Sequence, residues 1–103
     1  MELDEVKQMI EMVETHFLEK DAKKYQRFST NNDYFGKFVN YFNSTNKFTE
    51  NIKEKMRVKI QEITNIRDNI FDYYGKTKRL PYDLYSDFNT AMSELISLIK
   101  DNT

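Results

Sequence analysis

The sequence predicts an all-α protein: a small antiparallel helical bundle of three to four helices around one long central helix at about 46–74, forming a single domain over 1–103. Three observations predict it. Apolar residues recur at steps of three and four in long runs, the period of one helix face. Glycine and proline are scarce, two and one in the whole chain, which leaves few sites for the turns of a strand-and-hairpin fold. Charged residues make up 32% of the chain and aromatics 15%. That balance suits thin helices with wet outer faces around a core filled by a few large rings.

The first element rests on Leu3, Val6, Ile10, Val13 and Phe17, spaced strictly three and four apart. Glu2, Asp4 and Glu5 fall in its first turn, where the helix dipole favours anions. The spacing predicts a helix over 2–19. Lys20 and Lys24 then occupy positions where apolar residues are due, so the helix either stops near Asp21 or continues with these lysines snorkelling. Tyr25 and Phe28 would suit the continuation.

Ser29-Thr30-Asn31-Asn32-Asp33 is a cluster whose side chains compete for local backbone hydrogen bonds. It predicts a loop, with Asp33 as N-cap of a second helix over 34–43. That helix uses Phe35, Phe38, Val39 and Phe42 and is weakened at Gly36 by about 1 kcal/mol relative to alanine. Asn43-Ser44-Thr45-Asn46 is the next break.

The long helix carries Ile52, Met56, Ile60, Ile63, Ile66, Ile70 and Tyr74 on one stripe. Nothing breaks it before Gly75, which suits the residue just past a helix end. At about 1.5 Å per residue it would run roughly 40 Å. Lys76-Thr77-Lys78-Arg79 is a basic connector, and Leu80-Pro81 marks the next start, with proline at a first helical position. The last helix, over 82–100, uses Leu84, Phe88, Ala91, Leu95 and Leu98. Tyr85, Met92, Ile96 and Ile99 widen that face enough for burial against two neighbours.

Several kinds of chemistry find no support. Cysteine is absent, which excludes disulfides, thiolate nucleophiles and cysteine-ligated zinc. The one histidine, His16, sits beside the apolar stripe of the first helix, and neither Glu-x-x-His nor His-Glu-x-x-His occurs. Glu11 with Glu14 and Asp68 with Asp72 read as solvated faces. Gly36 and Gly75 are too far apart to cradle a phosphate. The expectation is a protein without catalytic residues, cofactor or metal. The acidic, amphipathic start is unlike a signal peptide, and no apolar run approaches the ~20 residues of a membrane span, so a soluble, cytoplasmic protein is expected. The bias toward Lys, Asn, Ile, Tyr and Phe matches an AT-rich bacterial or phage genome.

Charge is unevenly spread. Residues 1–21 carry a formal net charge of −5, residues 22–79 carry +7, and the remainder carries −3. Either the acidic flanks neutralise a basic middle within the fold, or part of that middle faces a partner. The candidate partner-binding residues are Lys53, Lys55, Arg57, Lys59, Arg67, Lys76, Lys78 and Arg79. The expected partner is another protein with an acidic surface. Nucleic acid is the alternative, suggested by the pairs Lys24-Tyr25, Arg27-Phe28, Lys37-Phe38 and Lys47-Phe48. Against it, the phenylalanines fall at core spacing and the pI of about 5.8 is far below that of a dedicated nucleic-acid binder. Lys59 and Arg67 project into the isoleucine stripe of the long helix. A charge there needs a counter-ion, and an acid of the first or last helix, such as Glu14 or Asp87, would supply one. The stripes could equally join across a homodimer.

In length, charge density and bundle pattern the chain resembles the small four-helix immunity proteins of bacteriocin producers. Tyr34-Phe35-Gly36 is similar to the bend of secreted helical hairpins that carry Trp-x-Gly there, with the tryptophan absent. The first resemblance implies a protein inhibitor. No functional residue is carried over from either.

Overall fold

The computed structural model describes residues 21–102. The helix expected over 2–19, with His16, Glu11 and Glu14, lies outside the described residues. Within them the protein is three packed helices, α1 (Asp21–Ser44), α2 (Glu50–Thr77) and α3 (Tyr82–Asp101), with no strand. The all-α bundle and its long central helix are therefore present.

The loop expected over 29–33 is not. α1 runs through it without interruption. The Thr30 hydroxyl donates to the Gln26 carbonyl at 3.0 Å, a bond made within the helix instead of in competition with it. Asn31 is fully buried between Phe28 and Phe35, in step with the aromatic stripe. Burial of Phe28, Phe35, Phe38 and Phe42 on one face outweighs the weak helix preference of the residues between them. Tyr34-Phe35-Gly36 accordingly lies inside a helix and makes no bend.

α2 begins at Thr49, whose hydroxyl accepts from the Ile52 N–H at 3.4 Å. It does not end at Gly75. It continues to Thr77, and Lys78 takes the left-handed cap at φ 57°, its N–H reaching the Tyr74 carbonyl at 2.9 Å. Pro81 stands one residue earlier than expected, just outside α3, and its carbonyl accepts from the Tyr85 N–H at 2.9 Å.

The helices are antiparallel neighbours. Lys59 meets Glu94 across α2 and α3, while Tyr25 at the start of α1 stacks on Tyr74 near the end of α2. The buried face of α2 is aliphatic. Met56, Ile63 and Ile70, seven residues apart, are fully buried, and Ile52, Ile60 and Ile66 flank them half-buried. α3 presents the wide face expected of it, with Tyr85, Phe88, Ala91, Met92, Leu95, Ile96 and Ile99 all buried. α1 joins through rings: Phe28 lies 4.8 Å from Phe88 and 5.1 Å from Phe71, both edge-on.

Candidate functional site

The eight predicted cations do not form one surface. Four of them are held by carboxylates of the chain itself. Arg57 bonds Glu54 at 2.9 Å and lies over the Phe42 ring. Lys76 bonds Asp72 at 3.1 Å, one helical turn back. Arg67, with its side chain 27% exposed, reaches only the adjacent Asp68 among the described residues. Lys59, 16% exposed, sits between Glu62 at 2.8 Å and Glu94 of α3. An acid of the last helix thus reaches Lys59, as the stripe required, but it is Glu94 and not Asp87. Hydrogen bonds to Glu62 and then Glu94 hold the Lys59 ammonium above the ordinary lysine range, against the opposing effect of burial.

Among the described residues no carboxylate pairs with Lys53, Lys55, Lys78 or Arg79. Lys53 and Lys55 lie near the start of α2, and Lys78 and Arg79 lie in the α2–α3 turn. They mark opposite ends of the same helix.

Each end borders an open depression. One, of about 530 Å³, lies along the α2–α3 seam and is lined by Lys55, Val58, Lys59, Glu94, Leu98 and Asp101. Of its two lysines, Lys59 is bound to Glu94, and Lys55 has no carboxylate partner among the described residues. The other, of about 740 Å³, lies at the α2–α3 turn and is lined by Tyr73, Arg79, Pro81, Tyr82 and Asp83. Here Tyr73 is 43% exposed and Tyr82 54% exposed, and Phe71 on the same end of α2 is 36% exposed.

Sequence reasoning missed the contribution of α1 to this end. Lys24 is buried, with its ammonium 4.7 Å from the centre of the Tyr82 ring. Tyr25 stacks on Tyr74 with ring centres 3.7 Å apart, and the Lys78 ammonium lies 6.0 Å from the Tyr74 ring centre. The start of α1 therefore carries exposed Lys23 to the same end of the bundle as the basic connector. The alternation of cations and aromatics over 23–28 contained the signal, though it gave no sign of which distant segment it would meet.

The same alternation was the argument for nucleic acid. Phe28, Phe38 and Phe48 are buried in the core and offer no face to a base. Among the described residues no three His, Asp or Glu side chains converge as a metal group, and no helix is long and apolar enough to cross a membrane. No family model matches the chain, and no curated protein or solved structure matches it either.

Proposed function

We propose that this chain is a non-catalytic protein-binding protein, an inhibitor, immunity or accessory factor of bacterial or phage origin, acting through a charged helical surface on a partner with an acidic surface. The observation that carries this reading is the division among the cations of the middle segment. Arg57, Lys59, Arg67 and Lys76 are satisfied within the fold, whereas Lys53, Lys55, Lys78 and Arg79 have no carboxylate partner among the described residues. Exposed charges of one sign steer an oppositely charged partner and set its orientation more than they add to the stability of the fold.

Affinity capture on the immobilised full chain tests this. The expected product is an acidic protein that elutes as salt is raised and is no longer retained when Lys53, Lys55, Lys78 and Arg79 are changed to glutamate. Retention unaffected by that reversal would remove the charged surface from the reading. Tyr73 and Tyr82, exposed beside Arg79, favour a second reading in which the chain is a nucleic-acid-binding accessory protein. Capture of nucleic acid in place of protein, with a steep salt dependence, would select it.

A further inference from the structure

We propose that the docking surface is the end of the bundle at the α2–α3 turn, and that it takes an acidic polypeptide segment carrying one large apolar side chain. This rests on the protein-binding reading above and specifies it. The apolar side chain enters the depression between Tyr73 and Tyr82, and its flanking carboxylates meet Arg79, Lys78 and Lys23.

Three independent features converge there. The first is exposed aromatic area: Tyr73 and Tyr82 border a single depression of about 740 Å³, a size suited to a side chain with its adjoining backbone. Tyrosine and arginine are the residue types that anchor protein partners. The second is charge. Lys78 and Arg79 have no carboxylate partner among the described residues, and the stacked Tyr25–Tyr74 pair brings the first turn of α1, with Lys23, to the same end. The third is rigidity. Tyr82 carries the Lys24 ammonium on its ring, Tyr74 is stacked, and Leu80 is buried beneath the turn, so little ordering remains to be done on binding.

The lining also discriminates between polymers. Asp83 borders the depression alongside Arg79. The acidic segment can set its uncharged apolar side chain beside Asp83 and keep its carboxylates on the Arg79 side, whereas a phosphate backbone places a charge at every step. The seam depression is the weaker candidate, since its Lys59 and Glu94 already satisfy each other.

The test is an NMR titration of the isotope-labelled full chain with a short capped peptide of glutamates around a central phenylalanine. The matched peptide with glutamine for glutamate and oligothymidylate serve as comparisons. The expected result is amide shifts concentrated at Tyr73, Lys78, Arg79 and Tyr82, absent with the glutamine peptide. Lys23→Glu combined with Arg79→Glu should weaken binding by about tenfold or more, and Tyr73→Ala should weaken it with the charges left in place. Shifts centred on Lys53, Lys55 and Val58 would overturn this site while leaving the protein-binding reading standing. Tighter binding of oligothymidylate at the turn would overturn the polypeptide assignment. No shift with any probe at millimolar concentration would overturn both.

Discussion

The two ends of α2 are built from similar residues, and each keeps cations without a carboxylate partner among the described residues, yet the start is tied to α3 by an ion pair and the end is not. Toward its start, Arg57 is held by Glu54 and the Phe42 ring, and Lys59 is clamped between Glu62 and Glu94. Toward its end, Lys78 and Arg79 have no such carboxylate among the described residues, and Tyr73 is left half-exposed. Glu54 and Glu62 belong to α2 itself, and Glu94 stands across from it on α3. α3 places Glu94 beside Lys59, about two helical turns from its own end at Asp101, whereas the start of α3 places Tyr82 and Asp83 at the turn. The start of α1 then adds Lys23 and Lys24 to an end that is already basic. A charge becomes structural or available according to its neighbour in space.

The largest expected effect comes from removing the ring that holds the open end together. Phe28 is fully buried and touches Phe71 and Phe88, so it ties α1 to both other helices. Phe28→Ala should lower stability by about 3–5 kcal/mol, from lost burial and the cavity left behind. Measured by urea unfolding, a loss under about 1 kcal/mol would mean that α1 is not anchored through this layer, and that Lys23 and Lys24 are not fixed beside the turn.

A smaller change of opposite sign is expected at Gly75. It is exposed and helical, its φ is negative, and a Cβ there would meet nothing within 4 Å. Gly75→Ala should therefore raise stability by about 0.5–1 kcal/mol, chiefly by restricting the unfolded chain. Thermal unfolding measures it. A decrease would show that the last turn of α2 needs glycine's freedom, and that the open end is held less firmly than its stacked rings imply.

These particulars also show what the sequence could convey. α3 was legible because its apolar residues cover a wide face at regular spacing, and all of the buried ones lie on it. The fully buried residues of α2 were legible for the same reason. Residues 29–33 were misread because Ser, Thr, Asn and Asp favour loops locally, while the evidence for a helix lay outside the segment, in the step from Phe28 to Phe35 with Asn31 between them. Gly75 was misread because a glycine can end a helix without having to. The candidate cations were all nameable, but their sorting into paired and available depended on Glu94, thirty-five residues away from Lys59. The placing of Lys23 and Lys24 at the end of the bundle that carries the connector depended on the stacking of Tyr25 on Tyr74. Tertiary geometry decides both, and periodicity says nothing about either.

Lys59 and Arg67 give the finest test of the comparison, since the stripe predicts that an acid of the first or last helix reaches one of them, and among the described residues Lys59 alone of the two has a carboxylate partner on another helix. Lys59 is mostly covered and bridges α2 to α3, whereas Arg67 reaches a neighbour already beside it in the chain. Glu62 and Glu94 are about half exposed, so the bridge acts across water-screened space and is worth about 0.5–1 kcal/mol, not the several of a fully buried pair. Lys59→Met should lose that amount, and Arg67→Met should stay within about 0.5 kcal/mol of the parent. The pH dependence has a definite sign. Because the folded chain holds the Lys59 proton more tightly than the unfolded one, its contribution is fully present below the ordinary lysine pKa and disappears as pH rises through the elevated folded value. The stability difference between parent and Lys59→Met should thus be flat around neutrality, vanish in strong alkali, and shrink as salt is added. Equal losses for Lys59→Met and Arg67→Met would mean that crossing between helices confers nothing, and that the two ends of α2 differ only in exposure.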